Sequence, residues 1–287
     1  MATPLRVFVE LAKPRIVMLV IITVVAGFLV APSAPEALAT TLAHAVIGTA
    51  LVAIGTNALN QVAERDVDAL MRRTQARPIP TGRIDVQRAR GFAWAAGVLG
   101  VAYLAVMVNR PTALLAAATL VSYVFVYTPL KRRTTLATVV GAIPGALPVV
   151  GGWAAAGAPL TRNAWLLFWI LFLWQLPHFL ALAWLYREDY RRAGLRMLSV
   201  DDADGRKTFR QAAVYSLALL PASLAPTLGG VVGTAYFVGA LALSLWMVWA
   251  SLRVLRRVSD RNAARLFAAS VTYLPMLLGL MVFDRLA

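Results

Sequence analysis

The 287-residue chain is 60% hydrophobic and only 14% charged, with no cysteine, two histidines and a formal net charge of +15. A soluble domain is about 25% charged, so ordinary water-soluble composition is excluded. The missing cysteines exclude disulfides, iron–sulfur clusters and thiolate catalysis, and two histidines alone cannot build a zinc site. The first fifteen residues carry Arg6, Glu10, Lys13 and Arg15 without a small-residue cleavage site, and no cleaved signal peptide is read there. Runs free of Asp, Glu, Lys and Arg then cover 16–35, 37–63, 91–109, 111–130, 134–161, 163–186, 211–252 and 266–283. A hydrocarbon core about 30 Å thick takes roughly 20 apolar residues of helix. Seven runs are therefore one span long. The 42-residue run is two spans, broken near Pro226, Gly229, Gly230 and Gly233. The expectation is an all-α polytopic membrane protein of nine transmembrane helices, near 16–35, 40–62, 91–109, 111–128, 135–157, 163–186, 211–231, 233–252 and 266–283. They form a single intramembrane domain over 1–287, with almost no room for a soluble one.

A net charge of +15 invites nucleic acid as a partner, but its placement points to topology instead. In the nine-span arrangement 25 of the 28 Lys and Arg fall on one side. Cytoplasmic loops carry the excess of Lys and Arg, which predicts a cytoplasmic N-terminus, an outside C-terminus and a multi-pass protein of the cytoplasmic membrane. Membrane lipids with anionic headgroups are the first partner such a surface meets.

Nine of the thirteen acids sit in two loops on that basic side: Glu64, Asp66, Asp68 and Asp85 after span two, and Glu188, Asp189, Asp201, Asp202 and Asp204 after span six. Asn60, Glu64 and Asp68 leave the apolar end of span two four residues apart. At 100° per residue they drift about 40° per step and share one helical face. Three hard oxygen donors at a membrane mouth suit a Mg²⁺ that keeps several waters and bridges phosphates. A solvated helix end laced with i,i+4 ion pairs, Asp68 to Arg72 among them, suits the same spacing. Asp66 falls on the far face and is expected to pair with a loop arginine. Arg72, Arg73, Arg77 and Arg83 follow at once.

Between spans four and five, Pro129 is expected to stop the helix and leave Lys131, Arg132 and Arg133 at the interface. These cations serve either a plain basic hairpin or a diphosphate clamp. Span six carries His178 just after Pro177, about two turns from its cytoplasmic end. An ionisable residue at that depth is a functional hypothesis by default. The alternative is a neutral histidine serving a carbonyl that Pro177 has freed. His44, near the outer face, reads as structural.

Leu11-Ala-Lys13-Pro14-Arg15, Asn60 to Asp68 with Met71-Arg72-Arg73-Thr74 and Arg77-Pro78, Tyr127-Thr-Pro-Leu-Lys131-Arg132, Trp174-Gln-Leu-Pro177-His178-Phe179, and Asp189-Tyr190 with Gly194 and Met197-Leu198 occur in one order along the chain. Together they resemble the UbiA-type intramembrane prenyltransferases, and within that superfamily the haem-farnesylating branch. Two departures stand out: the middle acid, usually Asp, is Glu64, and Met197-Leu-Ser-Val stands where the family often has Met-Leu-Pro-Val.

The resemblance implies transfer of a farnesyl group from farnesyl diphosphate to the 2-vinyl group of haem B, with hydration, giving haem O and diphosphate. It implies Mg²⁺ on Asn60, Glu64, Asp68 and Asp189, and diphosphate on Arg72, Arg77, Lys131 and Arg132. A second acid beside Asp189 would come from Asp201, Asp202 or Asp204. His178 becomes the candidate haem contact, with haem B a substrate rather than a cofactor and a downstream haem A synthase a candidate partner. The competing readings are a UbiA-type enzyme with another aromatic or tetrapyrrole acceptor, and a secondary transporter. A transporter's polar sites lie near the bilayer midplane on broken helices, whereas these carboxylates lie at the mouth.

Overall fold

A computed structural model describes residues 4–32 and 38–286, and all its regular elements are helical. Two helices open the chain, α1 (Pro4–Ala12) and α2 (Pro14–Val30), and α3 (Leu38–Ala63) returns from the opposite end. A single turn, α4 (Arg65–Asp68), follows, then α5 (Val86–Met107). The next span runs as α6 (Arg110–Val121), a π-helical stretch (Ser122–Tyr127) and α7 (Thr128–Leu130). After it come α8 (Ala137–Ala155), α9 (Arg162–Leu185), two short helices α10 (Arg187–Arg192) and α11 (Leu198–Asp201), then α12 (Arg206–Leu228), α13 (Thr234–Arg256) and α14 (Asp260–Leu286).

Among the described residues eight helices are long and apolar enough to cross a membrane, and α1 with α2, bent by 48° at Lys13, make a ninth if counted as one. Each expected span overlaps one of these helices among the described residues. The last residues expected of span one, 33–35, lie outside the described residues. The break after Pro226 falls as expected between Leu228 and Thr234, and Pro226 itself is inside α12.

Local sequence sets the helix starts. Pro14 opens α2, where its missing N–H is no loss. Asp85 caps α5 by accepting from the N–H groups of Gln87 and Arg88, and Asn109 caps α6 by accepting from Thr112 N–H. One expectation is corrected: Pro129 does not stop its helix, which ends at Leu130. The wide turn of the π-helical stretch lies just before it, and such a turn absorbs the hydrogen bond that a proline cannot make.

Packing inside a bilayer depends on backbones approaching closely. A Cβ on Gly27 would stand 2.0 Å from the Val149 carbonyl oxygen, and one on Gly152 would stand 2.0 Å from that of Val24. Glycine at both positions is what lets α2 and α8 touch. The larger core joins α2, α8, α9, α12, α13 and α14 around Trp153, Tyr236 and Tyr273. A smaller one joins α1, α3, α5 and α6 around Leu11 and Leu104. Val67, Met71, Tyr190, Leu195 and Met197 form a third, small core under the loops. That cap rests on the bundle end to which α3, α7 and α9 return.

Candidate active site

The end of α3 builds the site from one face. Asn57 and Gln61 reach the bend between α1 and α2: Asn57 Nδ2 donates to the Ala12 carbonyl at 3.3 Å and Gln61 Nε2 to that of Leu11 at 2.8 Å. Held there, Lys13 sits at φ 52°, the one left-handed non-glycine residue among those described. Backbone strain of this kind, paid where surrounding contacts fix it, is a pointer to function. Its Nζ donates to Asn60 Oδ1 at 3.5 Å. Asn60, itself 2% exposed, donates through Nδ2 to Thr128 Oγ1 at 3.3 Å, which ties α3 to α7.

Regular helix stops at Ala63, but the expected shared face survives. The Glu64 N–H bonds the Asn60 carbonyl at 2.9 Å and the Asp68 N–H bonds that of Glu64 at 2.7 Å, so the helical register carries across the break. Lys131 Nζ donates to Glu64 Oε1 at 2.7 Å and lies 4.4 Å from the centre of the Tyr127 ring. Burial works to raise the Glu64 carboxyl, yet the adjacent Lys131 ammonium holds it below its ordinary value.

Asp68 is fully buried. Arg77 Nη1 donates to its Oδ2 at 2.6 Å, so the expected i,i+4 pairing with Arg72 is replaced by a partner nine residues on. The Thr74 hydroxyl, donating to the Asp68 carbonyl at 2.9 Å, folds the loop back and makes that reach possible. Asp68 Oδ1 is buried with no hydrogen-bond partner. Burial raises the Asp68 carboxyl against the pull of Arg77. A buried carboxylate oxygen without a donor costs stability unless a ligand supplies what is missing.

Asp189, on α10, accepts from the backbone N–H groups of Arg72 at 3.3 Å and Arg73 at 3.2 Å and pairs with Arg192. Burial acts to raise it, and these donors hold it below its usual value. It thus clamps the loop that follows Asp68. Arg73 instead stacks on Tyr186 and Tyr190, 4.8 and 6.0 Å from the ring centres. The side chains of Arg72 and Arg132 are exposed beside the knot. Asp66 is exposed too and meets only its neighbour Arg65, at 3.4 Å.

Among the described residues no three acidic or histidine side chains converge as metal ligands do, so Glu64, Asp68 and Asp189 are neighbours rather than one cage. The later acids separate. Asp202 is buried and accepts from Thr208 N–H at 2.7 Å at the start of α12, while Asp204 is exposed and accepts from Arg206 N–H at 3.1 Å. Asp201 is exposed.

His178 lies on the face of α9 that meets α14. Its Nδ1 is 2.9 Å from Ser270 Oγ, and its ring centre is 5.2 Å from that of Trp174 and 4.8 Å from that of Phe267. Ser270 donates its own proton to the Phe267 carbonyl at 2.6 Å. It therefore accepts from His178 Nδ1–H, which leaves the Nε2 lone pair as the open one. His44 pairs through Nδ1 with the Tyr103 hydroxyl at 2.7 Å, a contact between α3 and α5.

Three participants escaped the sequence reading. Lys13 stood there within the Leu11-to-Arg15 motif with no role assigned to it, and its place before Pro14 was the available signal. Thr128 stood only inside the Tyr127-to-Arg132 motif, and Ser270 carried no signal, since hydroxyls inside apolar spans are ordinary.

The UbiA prenyltransferase family profile matches residues 20–275. The chain is 47% identical to the protoheme IX farnesyltransferase of Solibacter usitatus, over 98% of this chain and 99% of that one. It is 43% identical to that of Koribacter versatilis, over 99% and 94%. Among solved structures, one from work on digeranylgeranylglyceryl phosphate synthase superposes with a TM-score of 0.82 at 15% identity, covering 98% of each chain. A UbiA homologue from Archaeoglobus fulgidus bound to GPP and Mg²⁺ gives 0.67 at 16%, covering 96% and 99%. At these identities the likeness to both structures is one of fold.

Proposed function

Because the chain belongs to the UbiA prenyltransferase family, we propose that it transfers a farnesyl group from farnesyl diphosphate to protohaem IX. The observation that carries this reading is the match, along almost the whole of both chains, to the protoheme IX farnesyltransferases. In the reaction the allylic C–O bond breaks with its electron pair on the leaving diphosphate. Farnesyl C1 bonds to the terminal carbon of the 2-vinyl group. Water then adds its oxygen to the neighbouring carbon and loses a proton, which gives haem O and diphosphate.

Charge accumulates on the diphosphate as it leaves, so cations fixed in place beforehand lower the barrier. Lys13, Lys131 and Arg77 are such cations, each already held by a residue of the α3–α4 face. Arg72 and Arg132 stand exposed beside them and reach the diphosphate from the loop side. Asn60, Glu64 and Asp68 are the residues that would hold Mg²⁺. The partnerless buried oxygen of Asp68 is the hard donor such an ion takes, so the residues fit it. When bound, Mg²⁺ supplies charge neutralisation of the leaving diphosphate. Asp189 supports the site by fixing the Arg72–Arg73 backbone, and joins the metal set only if that clamp releases. Apolar walls of the bundle keep water from the allylic cation until the vinyl group has reacted.

His178 serves the acceptor. A metal-binding imidazole nearly always has its other nitrogen held by a hydrogen bond, and Ser270 holds Nδ1 here while Nε2 stays available to the haem iron. Charge placement supports a cytoplasmic mouth, with the N-terminus inside and the C-terminus outside: the ends of α3, α7, α9 and α13, with the N-terminal segment, carry 25 of the 28 Lys and Arg.

Membranes containing the full chain, given farnesyl diphosphate and protohaem, are expected to yield a porphyrin heavier by one farnesyl group plus one hydroxyl, and chelating divalent metal should stop it. Unmodified porphyrin, with the prenyl group on another acceptor, contradicts the reading. His178→Ala is expected to weaken haem binding and shift the haem absorption spectrum while farnesyl diphosphate binding stays unchanged. A wild-type haem spectrum and affinity in this variant would remove His178 from the site.

A further inference from the structure

The hairpin between α13 and α14 closes at the same bundle end as the carboxylate knot. Its turn is pinned there by Asp260, which accepts from Trp184 Nε1 at 2.9 Å and from Arg187 at 3.0 Å. Asn262 shapes the turn further by donating to the Arg257 carbonyl at 2.8 Å and through its backbone N–H to Ser259 Oγ at 3.3 Å. Between the last turns of α13 and the first turns of α14 lies an open cavity of about 690 Å³. Arg253, Arg256, Arg257, Arg261 and Arg265 line it.

Among the described residues none of these five guanidiniums pairs with a carboxylate. The one acid nearby, Asp260, is engaged by Arg187. Topology asks only that cations be on this side of the membrane. It does not ask for five of them around one concave space, where they repel one another unless an anion is present. The cavity also has an apolar approach. Arg253 lies 5.2 Å over the Trp249 ring, and Trp249, 54% exposed, continues along α13 into exposed Leu245 and Trp246. Trp249 and Leu252 line the cavity itself. Tryptophan at such a level marks the boundary between headgroups and acyl chains.

We propose that this cavity is a binding site for an anionic membrane phospholipid, its headgroup phosphate held by the arginines and an acyl chain lying on the Leu245–Trp249–Leu252 face. The arginines alone would serve any phosphate. The apolar track leading from the cavity selects a lipid over a free anion. The site shares no residue with the carboxylate knot, and it stands whichever acceptor the enzyme uses.

The test is native mass spectrometry of the full chain in neutral detergent, titrated separately with phosphatidylglycerol, phosphatidylcholine and inorganic diphosphate. Phosphatidylglycerol is expected to bind at least about tenfold more tightly than phosphatidylcholine, since each cation near a phosphate contributes roughly a fivefold preference. Arg257→Gln/Arg261→Gln/Arg265→Gln should lower that preference by at least about tenfold. Should the triple variant not fold, Arg261→Gln alone is expected to lower the preference roughly fivefold. Trp249→Ala should weaken phosphatidylglycerol. A lipid preference unchanged in the arginine variants overturns the proposal. Inorganic diphosphate bound as tightly as phosphatidylglycerol, and indifferent to Trp249→Ala, assigns the cavity to free phosphate and overturns it equally.

Discussion

Two buried polar clusters in this bundle differ in one respect. In the half formed by α12, α13 and α14, hydroxyls answer hydroxyls: Ser216 and Ser251 at 2.7 Å, Ser223 and Tyr273 at 2.7 Å, Ser244 and Tyr273 at 3.0 Å, and Tyr236 donating to the Ser223 carbonyl at 2.8 Å. None of these hydroxyls is ionised and each has a partner, while the buried hydroxyls of Thr208 and Thr227 on α12 stand outside the network without one. At the mouth the groups are Lys13, Asn60, Glu64, Asp68, Arg77 and Lys131, and one oxygen, Asp68 Oδ1, is left over. A paired neutral network fixes helix packing. A charged one with an unmatched oxygen keeps binding capacity in reserve, which is the condition of a site.

The largest effect should come from breaking the ionic cluster. Lys131→Met removes a cation from the diphosphate and strands Glu64, and turnover is expected to fall about 10²- to 10³-fold. Stability is expected to fall by about 3–5 kcal/mol, the cost of a buried charge without its partner. Adding Glu64→Gln should restore thermal stability but not turnover, and a double variant recovering both would make the pair structural.

Lys13→Gly sharpens the contrast further. It relieves a left-handed backbone that costs a side-chain-bearing residue about 1–2 kcal/mol, so the melting temperature should hold or rise while the rate with farnesyl diphosphate falls about tenfold or more. Undiminished activity would detach Lys13 from the diphosphate. On the opposite side of the comparison, Tyr273→Phe opens the neutral network. It is expected to cost about 1 kcal/mol in thermal unfolding with turnover unchanged. A large loss of turnover there would mean that this half of the bundle also touches substrate.

Spans, their order and the clustering of acids with cations were readable from the sequence because each rests on local pattern. Charge-free runs of one membrane thickness mark helices, and a four-residue spacing marks a face that outlasts the helix break at Glu64. Which cation meets which acid was not readable. Lys131 reaches Glu64 across 67 residues, and Arg77 displaces Arg72 at Asp68 because Thr74 turns the loop back. The π-helical turn before Pro129 hid the true end of that span. Asp202 read as a possible ligand, yet its carboxylate accepts from the Thr208 N–H in the first turn of α12, a role its sequence neighbours do not distinguish from ligation.

The account turns on Asp68, whose buried unmatched oxygen is assigned to metal. The direct measurement is the rate of porphyrin farnesylation by membranes carrying Asp68→Asn, titrated with Mg²⁺ beside the wild type. Asparagine keeps the volume and one oxygen but removes the charge. The wild type is expected to saturate with Mg²⁺ and lose activity on chelation, and Asp68→Asn to stay at least about 10²-fold slower at every Mg²⁺ concentration while remaining folded. A variant that reached the wild-type rate, or a wild type indifferent to chelation, would contradict the assignment of this mouth as the metal-assisted diphosphate site.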